Sequence, residues 1–419
     1  MLTTNNGELD NLLLINPNIP RIKIMPRSSK PKLNFIDVFS GAGGLSCGLE
    51  MAGMNCLLGI DHDQNALNTF AANHRKAEIF CGDIRKLTKR KLDDLLKEQP
   101  VHAVVGGPPC QGFSTVGKGN PQDERNSLFL EFVRLVRLTR PYFVVLENVT
   151  GLVAKKNEDT LKSIFKKFQK LGYNMDVKVM SSHNYGVAEK RRRTIIIGTR
   201  INDAPAYPKI THGDSNELAQ KPTVTLGDVI NDIKTPEGLT HNHDLQGVTL
   251  KNKIDLKRLS RIPEGRSIRY ERDEKSFLTP KLRLGLNWSE LPENRLRQAK
   301  YQRLHRDLPS PTIMTHRHSY YHPIENRYLT AREAARIQSF PNTFIFSGTV
   351  SSQWRQIGNA VPPLLGKAIG KTLLKLYKRA DPEHLSFKRI KRPSDSIIRY
   401  QRGKAFVYRP YKSEAENTL

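Results

Sequence analysis

The 419-residue sequence is poor in cysteine, and its cysteines are not spaced as ligands or bridges usually are. The four cysteines include no CxxC pair, which argues against a zinc site and against a disulfide framework. The histidine pairs at 241/243 and 316/318 lie in polar, loop-like sequence without an accompanying thiol or carboxylate pattern. The sequence therefore predicts a protein without a bound metal.

Long apolar runs are also missing. No run approaches the ~20 residues that a helix needs to span a bilayer. The start of the chain, MLTTNNGELDNLLLINPN, lacks the basic and then apolar order of a signal peptide. We therefore expect an intracellular, cytoplasmic protein that is not bound to a membrane.

Acidic residues are scarce relative to basic ones. The chain has 68 Lys and Arg against 41 Asp and Glu, a formal net charge of +27 and a pI near 9.9. Such an excess favours a polyanionic partner, since each neutralised phosphate releases condensed counterions. Charge alone does not choose between DNA, RNA and an acidic membrane surface.

The chain is long enough for two domains, and its sequence pattern changes several times. Short apolar segments such as LNFIDVF, CLLGID and YFVVLENV alternate with helical stretches from Leu33 to about residue 201. Strands that alternate with helices predict a doubly wound, mostly parallel α/β sheet. The predicted divisions are a basic N-terminal arm (1–33), a catalytic and cofactor-binding domain (34–201), an irregular Pro/Gly-rich domain (202–311), a return to the catalytic domain (312–379) and a basic C-terminal tail (380–419).

The stretch VVGGPPCQGFS places Cys110 just after a predicted strand. A free cysteine is most often a small buried hydrophobe. Here the prolines before it and Gly112 after it fix the thiol and leave it accessible, at the sheet edge where open α/β folds bind ligands. We therefore interpret Cys110 as a nucleophile.

Three successive predicted strands end in residues suited to a nucleoside. The segment FSGAGG lies between a strand and a helix, where glycines let a ligand approach the backbone. Asp61 follows about 20 residues later, the placement used for ribose hydroxyls. Asp83 ends the third strand and could accept from an adenine amino group. Glycine-rich turns of this kind also serve dinucleotides, so FSGAGG alone is a weak signal.

A carboxylic acid and two arginines are predicted near the thiol. Glu147 ends the apolar strand YFVVL, and a carboxylate there is costly to bury unless it is paired or protonated. A thiol beside such an acid suits conjugate addition to an electron-poor ring. Strand alternation places Arg191 and Arg193 on one side of RRRTIIIG, where they could hold a carbonyl oxygen or a phosphate.

These motifs, together with REAARIQSFP and QIGNAVPP, occur in one characteristic order. In that order and spacing the chain resembles the DNA cytosine methyltransferases of the carbon-5 family, of the bacterial restriction–modification kind. The resemblance covers most of residues 34–201 and 312–379, and GGPPCQGFS and REAARIQSFP are its most specific parts. It implies a doubly wound parallel sheet with one reversed strand, S-adenosylmethionine as cofactor, and a variable target-recognition domain, which matches the break near Asn202.

The resemblance also implies roles for single residues. Cys110 would add to carbon 6 of a cytosine flipped out of the duplex, so that carbon 5 becomes nucleophilic enough to take a methyl group. Glu147 would contact ring N3, Arg193 would lie near the carbonyl oxygen, and Arg191 would support the site. Gln111 and Ser114 are predicted beside the substrate.

In the cofactor pocket, Phe39 would lie against the adenine, Asp61 would hold the ribose and Asp83 the adenine amino group. Asn359 and its neighbours would close the pocket. The full predicted cofactor set is Phe39, Ser40, Gly41, Gly43, Gly44, Asp61, His62, Asp83, Ile84, Pro109, Asn359 and Val361.

Two positions depart from the family's pattern. Ala188-Glu189 stands where Pro-Gln usually precedes the arginines, so we expect a looser loop with one altered polar contact. Asp61 stands where Glu is common, which shortens the reach to the ribose. Neither departure removes a catalytic group.

The irregular segment 202–311 is the predicted reader of double-stranded DNA, and its target sequence does not follow from composition. Candidates for phosphate contacts cluster in one short stretch: Lys251, Lys253, Lys257, Arg258 and Arg261. We expect a monomer, with a restriction endonuclease as its functional counterpart in the cell.

Three alternatives remain open at this point. An RNA cytosine methyltransferase would carry the same motifs, but its relatives have a more compact recognition region than the about 110 residues found here. A catalytically silent DNA-binding relative has no chemical reason to keep Cys110, Glu147 and Arg193 together. A nicotinamide oxidoreductase would explain FSGAGG and Asp61 but not GGPPCQGFS.

Overall fold

The computed structural model of the protein describes residues 33–109, 124–201, 204–213, 220–233 and 241–380. The predicted N-terminal arm up to residue 32, the stretch 110–123 with Cys110, Gln111 and Ser114, and the predicted tail from residue 381 onward lie outside the described residues.

A seven-stranded sheet organises the described chain, in the order β3-β2-β1-β4-β5-β7-β6. Its strands are β1 (Asn34–Val38), β2 (Asn55–Asp61), β3 (Glu78–Cys81), β4 (Ala103–Gly106), β5 (Phe143–Val149), β6 (Asn174–Ser181) and β7 (Arg192–Thr199). The first five pair in parallel, and β7 runs antiparallel to both of its neighbours. The predicted doubly wound sheet with one reversed strand is confirmed.

The described helices pack partly on the two faces of this sheet and partly elsewhere. Their bounds are α1 (Gly44–Met51), α2 (Gln64–Asn73), α3 (Lys89–Leu96), α4 (Glu124–Thr139), α5 (Glu158–Lys170), α6 (Gly227–Ile230), α7 (Lys253–Leu259), α8 (Glu271–Phe277), α9 (Ala331–Ile337), α10 (Val350–Asn359) and α11 (Pro363–Arg379). The strands bury both faces, since Val144 belongs to one hydrophobic cluster and Val145 to the other. This two-sided burial explains why the central strands are almost continuously apolar rather than alternating.

The last helix of the described chain returns to the first. Leu365, Ile369 and Leu373 recur at helical spacing along α11 and join the cluster that contains β1 and β4. Small residues let α11 approach α1 closely: a Cβ on Gly48 would stand 2.2 Å from the carbonyl oxygen of Pro363 and 2.7 Å from the Cα of Gly366. The helix that follows QIGNAVPP therefore packs against the helix that follows FSGAGG.

Part of the irregular segment has a small core of its own. Seven buried residues form it: Leu259, Ile262, Ile268, Leu278, Trp288, Tyr301 and Tyr321. A two-stranded sheet, β8 (Ile268–Tyr270) with β9 (Arg295–Lys300), accompanies this core. By contrast, Tyr207 packs with the main sheet and Leu226 with α9 and α10. The predicted boundaries at 202 and 311 stay predictions.

We expect Gly48→Ala to destabilise the protein. Alanine is the better helix former, but its Cβ would overlap the backbone of α11, and overpacking of this kind costs ~1–3 kcal/mol. Urea denaturation should show a lower midpoint than for wild type. Gly151→Ala is the matched control, because its Cβ would come no nearer than 3.9 Å to Val149. Equal midpoints for the two variants would contradict the prediction.

Candidate active site

The carboxyl ends of the parallel strands bring the candidate residues to one edge of the sheet. Val38 is paired with Ile60 on one side and with Gly106 on the other, and Gly106 is paired with Leu146. The residues that follow these paired positions therefore stand in a row: Phe39, Asp61, Gly107 and Glu147. This is the edge at which open α/β sheets bind ligands.

Asp61 holds two of these strand-end turns together. One carboxylate oxygen accepts a hydrogen bond from the backbone N–H of Gly41 at 2.8 Å. The other accepts from the N–H groups of His62 at 2.8 Å and Asp63 at 3.0 Å. A carboxylate has about four lone-pair sites, so about one is left for a ligand hydroxyl. His62 itself is exposed, with its ring nitrogen 3.3 Å from Asp61.

The glycine-rich turn combines open space with close packing. A Cβ added at Gly41 would meet nothing within 4 Å, whereas one at Gly44 would stand 2.5 Å from the carbonyl oxygen of Val361. Gly43 is the N-cap of α1 in the left-handed region, with φ 88°. Phe39 also has a positive φ, 63°, a conformation that a non-glycine residue adopts only at a cost. The turn thus leaves room in front of Gly41 while Gly44 packs against the returning segment.

Asp83 is engaged with its own loop. Its carboxylate accepts from the backbone N–H of Arg85 and pairs with the Arg85 guanidinium at 2.7 Å. These hydrogen bonds from Arg85 lower the pKa of Asp83. Ile84 is buried in the sheet core, and the half-buried Phe39 packs against the same cluster. Phe39 and Ile84 therefore belong to the same cluster, while Asp83 would have to share its carboxylate between Arg85 and a ligand.

Glu147 forms an ion pair with Arg193 near the end of β5. Its Oε1 is 2.8 Å from the Nε of Arg193, and both side chains are about 15% exposed. Burial raises the pKa of Glu147, although the charges of Arg193 and Arg191 oppose the rise. Its Oε2 would stand 3.1 Å from a Cβ at Gly107, three residues before Cys110. The Glu147 carboxyl thus lies beside Gly107 of the GGPP segment.

The arginines separate as strand alternation predicts. Arg192 is exposed, whereas Arg191 is 1% exposed and donates from Nη2 to the carbonyl oxygen of Gly358 at 2.8 Å. Gly358 precedes Asn359, the last residue of α10, which is exposed. Arg191 therefore links the arginine strand to the segment predicted to close the cofactor pocket.

Asn148 is a site residue that the sequence analysis did not single out. Its side-chain N–H donates to the carbonyl oxygen of Pro108 at 3.0 Å. That bond fixes the GGPP segment, including the half-buried Pro109, against the end of β5. The ENV motif itself carried the signal, since an amide next to a strand-end acid can bond the neighbouring strand's turn.

The predicted phosphate contacts do not share one environment. Lys251, Lys253, Lys257 and Arg261 are exposed. Arg258 instead donates to the carbonyl oxygens of Leu282 and Arg283 and lies 3.5 Å from Asp255. Its guanidinium therefore stabilises the small core around Tyr301 and has little capacity left for a phosphate.

No group of three His, Cys, Asp or Glu side chains among the described residues is placed to hold a metal ion. Within the same residues, no helix is both long enough and apolar enough to cross a bilayer.

The fold is shared with solved methyltransferases. A prophage-encoded protein of Escherichia coli, assigned as a DNA modification methyltransferase, superposes with a TM-score of 0.62 at 26% identity, over 83% of this chain and all of that chain. The Entamoeba histolytica methyltransferase EhMeth superposes with a TM-score of 0.55 at 15% identity, over 83% of this chain and 99% of its own, and so shows the fold alone. The class is that of S-adenosylmethionine-dependent methyltransferases.

The sequence narrows this class to one family. Residues 33–375 match the profile of C-5 cytosine-specific DNA methylases, and the chain belongs to that family. The Type II methyltransferase M1.HphI of Haemophilus parahaemolyticus is 34% identical over 82% of this chain and 87% of the relative. M.DdeI of Desulfomicrobium norvegicum is 32% identical over 81% and 88%. The predicted family and enzyme class are confirmed: the protein is a DNA cytosine-5 methyltransferase.

We expect Asn148→Ala to slow methyl transfer by about two- to tenfold, since a hydrogen bond of this kind contributes ~0.5–1.5 kcal/mol. The reason is the loss of the bond that holds Pro108. Single-turnover rates should fall while cofactor affinity stays within about twofold. Val149→Ala, a neighbouring side chain that is 55% exposed, is the control. A normal rate for Asn148→Ala would show that the Pro108 contact does not position the reacting groups.

Proposed function

We propose that the protein methylates carbon 5 of a cytosine within a specific duplex DNA sequence, with S-adenosylmethionine as methyl donor and Cys110 as a covalent nucleophile. One observation carries this proposal furthest. The carboxyl of Glu147 is largely withdrawn from solvent, paired with Arg193, and directed at the GGPP segment that leads to Cys110. An acid so placed can assist the addition of a thiol to a pyrimidine ring.

The chain's residues fit the proposed cofactor. The open space before Gly41 and the spare lone pair of Asp61 suit a ribose hydroxyl, and Phe39 offers an aromatic surface beside them. Asp83, Asn359 and Val361 would complete this pocket. The cofactor supplies an electrophilic methyl group.

The chain's own groups would prepare the base. Cys110 would add as the thiolate to carbon 6, while the Glu147 carboxyl donates its proton to N3 and Arg193 binds the carbonyl oxygen. After methylation, the carbon-5 proton would leave to water, the thiolate would be expelled, and N3 would return its proton to the Glu147 carboxylate, which restores the aromatic ring and the acid. Carbon 6 is inaccessible in a stacked duplex, so the cytosine must first be flipped out.

The biological role follows from the same proposal. Its relatives M1.HphI and M.DdeI are named as Type II methyltransferases. We propose that this chain acts as a monomer that protects host DNA from a restriction endonuclease. The segment 202–311 would read the sequence, so exchanging it for that of a relative should change which cytosine is methylated.

The test is transfer of a labelled methyl group to unmethylated plasmid DNA, followed by mapping of the methylated positions. Duplex DNA with 5-fluorocytosine at the mapped position provides the covalent readout. Release of the enzyme requires removal of a proton from carbon 5, and the fluorine that replaces this hydrogen cannot be removed in that way, so the adduct between Cys110 and the base persists. Wild type should form a denaturant-stable complex and Cys110→Ser should not. Methylation of transfer RNA but not of DNA would overturn the proposal.

We expect Glu147→Gln to lower the single-turnover rate by ~10²-fold or more, the usual range for loss of general-acid assistance. Cofactor and DNA affinities should change little, because the amide is isosteric and neutral. Normal turnover combined with weak cofactor binding would contradict the proposal, because it would show that Glu147 contacts the cofactor and not the base.

The exposed lysines of α7 give a separate prediction. Neutralising Lys253 and Lys257 together should weaken binding to all duplexes alike, and should flatten the dependence of log affinity on log salt by about one unit per lost phosphate contact. Arg258→Ala is the contrast, because its contacts are internal, and it should lower stability instead. An unchanged salt dependence in the double lysine variant would exclude these two side chains from the DNA contact.

A further inference from the structure

A second carboxylic acid lies buried beside the arginines, outside the predicted catalytic set. Glu189 is fully buried, two residues before Arg191. Its Oε1 accepts a hydrogen bond from the backbone N–H of Ile313 at 2.6 Å, and its Oε2 has no hydrogen-bond partner among the described residues. The Nη1 of Arg191 is 3.9 Å from Oε1, close enough for a strong charge interaction in a buried site.

Arg191 depends on this acid. Its Nη2 donates to Gly358, but its Nε and Nη1 are buried and have no hydrogen-bond partner in the described chain. A buried guanidinium without a counter-charge is strongly unfavourable. Gly358 in turn packs on the chain next to Ile313, because a Cβ there would stand 2.6 Å from the carbonyl of Met314. Glu189 and Arg191 thus tie three distant segments together.

One member of the pair, Arg191, also interacts through its charge with Glu147, the acid of the proposed chemistry. Arg191 and Arg193 both act on Glu147 through charge, and both lower its pKa against the effect of burial. Glu189 faces Arg191, Arg193 and the hydroxyl of Tyr320, whose own pKa it helps to raise. Burial raises the pKa of Glu189 to about 7, so its charge changes near neutral pH.

We propose that Glu189 is a positioning residue: it holds Arg191 against the Ile313 and Gly358 segments, and its negative charge limits the field of Arg191 at the carboxyl group of Glu147. The family usually has glutamine at this position. A glutamine side chain can accept the hydrogen bond from Ile313 but cannot balance the positive charge of Arg191. The effect of Glu189 on catalysis rests on the proposed function, in which Glu147 acts as an acid. The effect of Glu189 on the ionisation of Glu147 does not depend on catalysis.

The experiment is Glu189→Gln, measured as single-turnover methyl transfer against pH. Without the negative charge, Arg191 stabilises ionised Glu147 more strongly, so the loss of activity at alkaline pH should begin at lower pH. We expect the two profiles to converge well below pH 7, where Glu189 is protonated in wild type, and to diverge as Glu189 ionises through and above pH 7. A shift of about half a pKa unit would give about a threefold lower rate on that limb. Superposable profiles would overturn the proposal.

A second readout does not need methyl transfer. With glutamate labelled by carbon-13 at the carboxyl group, the signal of Glu147 is assigned by its loss in Glu147→Gln, and its titration is followed in wild type and in Glu189→Gln. The apparent pKa of Glu147 should fall in Glu189→Gln. It should not change in Glu158→Gln, which removes an equal charge from a surface pair with Lys162 on α5.

These readouts separate the two proposals. Absence of methyl transfer by wild type would refute the proposed function, while the titration of Glu147 would still decide the role of Glu189. An unchanged titration in Glu189→Gln would refute that role even in an active enzyme. If Glu189→Gln does not fold, Glu189→Asp against Glu189→Asn gives the same charge comparison with a shorter side chain.

Discussion

The site depends on the reversed direction of one strand. Because β7 runs antiparallel to β5, its first residues lie beside the last residues of β5, with Arg193 paired to Val149 in the register. Were β7 parallel to β5, Arg193 would lie level with Phe143 instead of Val149, ~13 Å along the strand from Glu147. The ion pair between Glu147 and Arg193 is therefore a consequence of topology.

That pairing explains why charged groups are tolerated in an apolar sheet. A carboxylate or guanidinium taken out of water needs a partner with good geometry, and removing one member of such a pair typically costs ~3–5 kcal/mol. Arg193 is the charged partner of Glu147, and Glu189 is the charged partner of Arg191. Backbone groups complete the set, since Asp61 accepts three N–H groups and Asn148 holds the carbonyl of Pro108. The edge is thus fixed before any substrate arrives.

Local pattern was enough to predict much of this arrangement. Asp61 and Glu147 each end an apolar segment, and parallel strands carry such ends to one edge. Alternation likewise predicted that Arg192 would face away from Arg191 and Arg193. The contact of Glu189 with Ile313 could not be predicted in this way, because 124 residues separate the partners and nothing local to either indicates the other. Arg258 shows the same limit: its charge suggested a phosphate contact, whereas its partners Leu282 and Arg283 are set by tertiary packing.

The return of the chain after the irregular segment has a physical reason. Arg191 needs the carbonyl of Gly358, Glu189 needs the N–H of Ile313, and Gly44 leaves room for Val361. These three contacts lie outside the small core around Trp288, which is closed largely by its own residues. The sequence of that core can therefore change without altering the partners of Glu147, Arg191 or Arg193. The proposed assignment of this segment as the reader of DNA requires such a separation, and it requires that residues such as Glu189, at the junction, remain compatible with both parts.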